Sequence, residues 1–154
     1  MNVFLADEQD DPLEAEPLRR LALSVLEEEG LPDRTDVTVM FVDLEQASEY
    51  NERFMERSGP TDVLAFPLEH LSPGKYPDPG QGNPPLNLGD VVIAPAYVRR
   101  QADDLGGLFE DEMALMVVHG ILHLLGYDHM NDEDAELMEA RERTLLKRAG
   151  RQRR

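Results

Sequence analysis

Met113-Ala-Leu-Met-Val-Val-His119-Gly-Ile-Leu-His123-Leu-Leu-Gly126-Tyr-Asp-His129 places three of the chain's four histidines in a largely apolar run. From Met113 to Leu125 the residues are apolar on nearly every side, which predicts a buried helix over 109–126. Unpaired imidazoles there would be costly. A four-residue step turns about 40° past a full circle, so His119 and His123 project from one helix face as neighbours able to hold one ion. Gly126 suits a helix end that needs positive φ, after which the chain can bend to bring His129 back as a third ligand. Three nitrogens leave one tetrahedral position for water or substrate, the mark of a catalytic rather than a structural zinc. Gly120 costs about 1 kcal/mol in a helix relative to alanine and calls for a reason. Close approach of a substrate and tight packing of the helix on a strand are both open.

Outward from this helix the chain reads as short strands and helices. Asn2–Ala6, Val37–Val42, Thr61–Phe66 and Leu88–Ile93 have strand character, with β-branched residues or Pro and Gly punctuation. Pro17–Glu29, Glu45–Glu56, Pro95–Asp104 and a final amphipathic stretch, Glu133–Arg148, follow helical spacing. The Pro- and Gly-rich segment from Pro67 to Pro85 marks a long loop, with a solvated His70 at its entrance. A strand-rich middle flanked and followed by helices predicts an α+β fold, a small mixed sheet packed with helices.

The 154 residues suit a single domain, 1–154. There are no cysteines, which excludes disulfides, thiolate zinc sites and a cysteine nucleophile, so a metal must be held by nitrogen and oxygen. No signal-peptide pattern opens the chain and no apolar run reaches the ~20 residues of a membrane span, so a soluble, cytoplasmic protein with no membrane partner is expected. A net charge of -17 argues against a general nucleic-acid coat. Its distribution is uneven. Residues 1–60 carry 16 acidic and 5 basic side chains, whereas Lys147-Arg148-Ala-Gly-Arg151-Gln-Arg153-Arg154 is purely basic. That end could hold phosphates, but its last residues, about five, are expected to be a frayed, solvated tail.

The spacing of His119, His123, Gly126 and His129 is shared with the metzincin peptidases, H-E-x-x-H-x-x-G-x-x-H. Gly120 stands where their general-base glutamate would be, which argues against proteolysis. The whole string His119–His129 instead resembles the signature of the YbeY family of metal-dependent endoribonucleases. Pro60-Thr-Asp-Val-Leu-Ala-Phe-Pro67 is similar to that family's P-T-D-V-L-S-F-P, and Leu88-Gly-Asp-Val-Val-Ile93 to its L-G-D-I-x-I. Glu112 and the acidic last helix with Met138 also fit.

The resemblance implies a zincin-like α+β fold with His119, His123 and His129 as ligands of one zinc or similar divalent ion. It implies hydrolysis of single-stranded RNA, in 16S ribosomal RNA processing and ribosome maturation, with the ribosome or its proteins as partners. Asp90 is the first candidate for positioning the water or a ligand, against capping of the helix that begins near Pro95. Tyr127 and Asp128 are expected to shape the turn, with Asp128 also a candidate partner of a ligand histidine. Where many members of that family carry an arginine after an aromatic, this chain has Met55 after Phe54, so Arg57 or Arg53 is expected to supply the phosphate-facing cation, Arg57 being preferred. Ala65 replaces the family's serine. The alternatives are a ribosome-associated factor stabilised by its metal without nuclease activity and, less favoured, a metallopeptidase.

Overall fold

The alternation in Val37–Val42 belongs to a longer strand, β2 (Thr35–Val42), which buries Thr35, Val37, Val39 and Phe41 on one face. The computed structural model describes residues 1–154. β1 (Asn2–Glu8) pairs parallel with one edge of β2, and β4 (Leu86–Ile93) pairs parallel with the other. β3 (Val63–Pro67) closes the sheet antiparallel to β4, giving the order β1-β2-β4-β3. This is the mixed sheet of an α+β fold, as the sequence predicts.

α1 (Ala15–Glu28) buries Leu18, Leu21, Ala22, Val25 and Leu26, a single stripe at helical spacing. α4 (Phe109–Leu124) is different. It packs against α1, against α3 (Pro95–Leu105), against α5 (Asp132–Arg148), and against β3 and β4. Eleven of its sixteen residues are therefore buried, which is why its sequence is apolar all round. On the other face of the sheet α2 (Leu44–Met55) covers a smaller cluster of Val42, Ala47, Leu64, Val92 and Ala94.

Two glycines fix how α4 sits. A Cβ on Gly120 would stand 2.4 Å from Val91 Cγ1, so tight packing of α4 on β4 answers the question its mid-helix position raises. Gly126 has φ +99, and the amides of Gly126 and Tyr127 donate to the carbonyls of His123 and Leu122, closing the helix in a Schellman turn. The β3–β4 loop arches over that turn, with Leu71 O only 2.1 Å from where a Gly126 Cβ would be.

β4 holds a departure from the sequence reading. It begins at Leu86 rather than Leu88, and Asp90 is its fifth residue. The register with β2 slips so that Leu88 and Gly89 stand opposite Val37, a β-bulge made possible by Gly89 at φ +116. Val91 then meets α4, and Asp90 falls on the face of Val92, between Thr38 and Phe66.

Candidate metal centre

His119 and His123 come from the last two turns of α4, and the Schellman turn returns the chain so that His129 joins them. One ring nitrogen from each lies within 4.8 Å of the others, and no fourth histidine or carboxylate joins the group. Each α4 imidazole is held from behind. His119 Nδ1 lies 2.7 Å from Glu142 Oε2, and His123 Nδ1 lies 3.0 Å from the carbonyl oxygen of Tyr127. Both partners only accept, so in each neutral ring the proton sits on Nδ1 and the lone pair on Nε2.

The two Nε2 atoms face each other at 3.1 Å. In the neutral rings two lone pairs at that separation would repel, and an ion held by the histidines would relieve that repulsion. The donor set thus fits a divalent transition metal held by His119, His123 and His129. Burial, and then the neighbouring His119 and His129, hold the His123 imidazole below its ordinary pKa, which favours the neutral form a metal requires.

Glu142 was not singled out by the sequence reading. It is 1% exposed and lies on α5 in register with Met138, Leu145 and Leu146, an acid on an apolar stripe. That misplaced charge is the signal that could have found it. Burial pushes its carboxyl up, but the hydrogen bonds from His119 and Arg153 outweigh burial and hold it below the usual carboxylate value. A second, half-buried support stands behind the Tyr127 carbonyl that holds His123. Arg141 Nε donates to Glu29 Oε2 at 2.9 Å, and burial followed by the Glu29 contact raises the Tyr127 phenol well above its ordinary pKa. Asp128 accepts from the backbone N–H of His129 at 2.7 Å and shapes the turn, as the sequence reading expects, rather than supporting a ligand ring.

The histidines open onto a cleft of about 680 Å³ whose far wall is the end of α2 and the edge strand β3. Met55 and Arg57 line it, as does Ala65. Arg57 follows Glu56, which ends α2 in the left-handed region at φ 53. Arg53 sits elsewhere, in a shallow surface depression with Gln46, Glu49 and Tyr50. Asp90 does not line the cleft, because the bulge turns it to the opposite face of the sheet. Nor does it cap α3, whose N-cap is Ala94 with no side-chain bond. His70 is exposed and apart from the cluster. The basic end of the chain, expected to be a solvated tail, folds back instead, and Arg153 and Arg154 join the cleft lining.

A buried helix that carries two back-supported imidazoles, a third beyond its cap and an adjoining cleft has the make-up of a hydrolase site that could hold a metal ion. Comparison with known proteins gives the family. Residues 4–150 match the family described as Endoribonuclease YbeY. The chain is 40% identical over 146 residues to the Endoribonuclease YbeY of Thermobifida fusca, covering 95% of this chain and 92% of that relative. It is 38% identical to that of Bifidobacterium animalis subsp. lactis, covering 95% of this chain and 78% of that one. A solution structure of a Thermotoga maritima protein has the same fold, with a TM-score of 0.64, 24% identity and coverage of 96% of this chain and 89% of that one. The chain belongs to the YbeY family of endoribonucleases, enzymes that cleave RNA.

Proposed function

We propose that this chain is a zinc-dependent endoribonuclease that hydrolyses single-stranded RNA in the cytoplasm, processing 16S ribosomal RNA precursors during ribosome maturation in contact with the ribosome or its proteins. The observation that carries the metal dependence is the pair of Nε2 atoms facing each other at 3.1 Å while both Nδ1 atoms are committed to acceptors. His119, His123 and His129 would hold the ion. Three ligands and no fourth favour a catalytic over a structural site. When bound, such an ion lowers the pKa of water and offsets charge on a phosphoryl oxygen.

The other parts of the reaction belong to the protein. Glu142 fixes the His119 ring, and the Tyr127 carbonyl fixes that of His123, so neither ligand has to reorganise as charge develops. Arg57 lines the cleft and forms no ion pair within 4 Å, which leaves its paired donors for a phosphate. Leu115 and Met116 of α4 give the cleft an apolar side that limits water around the phosphodiester. Asp90, on the far face of the sheet, takes no part in this reading.

No helix is long and apolar enough to cross a membrane. The preference for single strands follows the family resemblance, since splayed nucleotides can enter a cleft that a duplex groove cannot offer. The test is metal content by mass spectrometry together with cleavage of a labelled single-stranded ribosomal RNA fragment, for the native chain and His123→Ala. Near-stoichiometric metal and cleavage, both lost in the variant, is the expected result. Metal-free protein from unchelated preparations would refute the metal centre, and bound metal without cleavage would favour the stabilised ribosome-associated factor.

A further inference from the structure

The last residues of the chain are tied down at several points. Gly150, at φ +75, ends α5 in a second Schellman turn, its amide donating to Lys147 O and that of Arg151 to Leu146 O. The chain then runs back toward α4. Arg151 Nη1 reaches Asp111 Oδ1 at 3.3 Å, Arg153 Nε donates to Glu142 Oε1 at 3.1 Å, and Arg154 Nε donates to Glu112 Oε1 at 2.7 Å. Glu142 and Glu112 are 1% and 3% exposed, and a buried carboxylate without a charged partner is strongly destabilising. Both buried acids therefore draw the tail toward the cleft.

The tail changes the sign of the cleft. Without residues 151–154 the fixed charges lining it are one cation, Arg57, against two carboxylates, Asp62 and Glu142. With Arg153 and Arg154 in place its side chains are three cations against two carboxylates. On a chain of net charge -17 this is a local reversal, and it lies beside the histidines. The two arginines differ in what they have left to offer. Arg153 is mostly covered, gives Nε to Glu142 and sits 3.7 Å from Glu139. Arg154 is 44% exposed and gives only Nε to the protein, so both of its Nη groups are available.

We propose that residues 151–154 form part of the RNA-binding site, with Arg154 as a phosphate-contacting cation and Arg153 as a positioning residue that holds Glu142 against His119. This rests on the endoribonuclease reading above and adds to it a cation delivered from the far end of the chain. Met55 contributes no charge to the same lining, so the tail supplies what the α2 wall has only in Arg57.

The test uses the full chain and a short labelled single-stranded RNA. Fluorescence anisotropy over a range of salt gives affinity and its salt slope, steady-state cleavage gives kcat and KM, and competition with a chromogenic chelator gives zinc affinity. Arg154→Ala should weaken RNA binding and raise KM by about tenfold with kcat little changed. Its salt slope should fall by about 0.7, the value for one phosphate contact on a single strand. Arg154→Lys should restore the slope. Arg153→Ala should weaken zinc binding by about tenfold, as loss of a support behind a ligand histidine does, and Arg153→Lys should recover part of it.

Should Arg154→Ala fail to fold because Glu112 is left charged and alone, Glu112→Gln combined with Arg154→Gln keeps a neutral hydrogen-bonding pair and should show the same loss of RNA affinity. A parent chain that binds and cuts RNA alongside Arg154 variants with unchanged affinity and slope overturns this inference and leaves the endoribonuclease reading standing. Tighter binding or faster cleavage in those variants also overturns it, since the tail would then be a plug. Unchanged zinc affinity in Arg153→Ala overturns the positioning role. A parent chain that neither binds nor cuts RNA overturns both readings.

Discussion

The two walls of the cleft are built in different ways. The histidine wall is a single helix and its cap. His119 and His123 are neighbours because a helix makes them so, and His129 returns because Gly126 permits the turn. The opposite wall is assembled from the end of α2 and the edge strand β3, while the last residues of the chain reach the lining through Glu142 and Glu112, on the histidine side. The cleft's cations, Arg57, Arg153 and Arg154, are brought together only by the packing of elements distant in sequence. The histidine wall is specified locally. The charges around it are set by long-range packing.

That contrast can be broken first at the metal. His119→Ala should abolish stoichiometric zinc binding and reduce RNA cleavage by about 10³-fold or more, measured by metal analysis and single-turnover kinetics, because two imidazoles no longer define the site. Retained metal and cleavage would mean that the histidine wall is not the reaction centre. Gly126→Ala attacks the same wall through its backbone. Strain at φ +99 and contact with Leu71 O should cost about 3 kcal/mol. A domain of this size would then melt about 6–12 °C lower, which calorimetry would show.

Glu142→Ala removes the support behind His119 and leaves Arg153 only the longer contact to Glu139, and zinc affinity should fall about 10- to 100-fold in a chelator competition. On the other wall Arg57→Ala should leave zinc binding untouched, weaken single-stranded RNA by several-fold and lower the salt slope by about 0.7. A loss of metal in that variant would erase the distinction between the walls. The smallest effect belongs to Asp90→Asn. Lying on the far face of the sheet, Asp90 should change neither zinc affinity nor cleavage, and stability should move by no more than about 0.5 kcal/mol in denaturant titration.

Chelation separates a further pair of possibilities. The core cluster that holds Leu26, Phe41, Leu88, Ile121 and Leu146 includes none of the three histidines. Metal-stripped protein should therefore keep its far-ultraviolet circular dichroism while losing cleavage. Global unfolding on chelation would mark a structural ion instead.

Much of this molecule was legible before any coordinates. The buried helix, its glycine cap and the strands around it are local patterns of apolar spacing and backbone permissiveness, and the structure reproduces them within a few residues. Boundaries moved where strand pairing extended an element, as at Leu86. Gly120 looked like either a substrate contact or a packing contact, and the 2.4 Å approach of Val91 to its missing Cβ decides for packing.

Asp90 was misplaced for a definite reason. Simple alternation from Leu88 puts it on the α4 face, but one extra residue in the bulge at Gly89 reverses every side chain beyond it. Glu142 escaped notice because its value lies in a partner 23 residues away, and the tail because three exposed-looking arginines and one glutamine have no periodicity to read.

The sequence by itself determined which residues can bind a metal, since a four-residue spacing on a helix and a glycine turn are short-range geometry. Only the tertiary structure decided which charges stand around them. Glu142, Arg57, Arg153 and Arg154 reach one cleft through long-range packing, and the cost of leaving a carboxylate buried and alone selects partners that no local rule names.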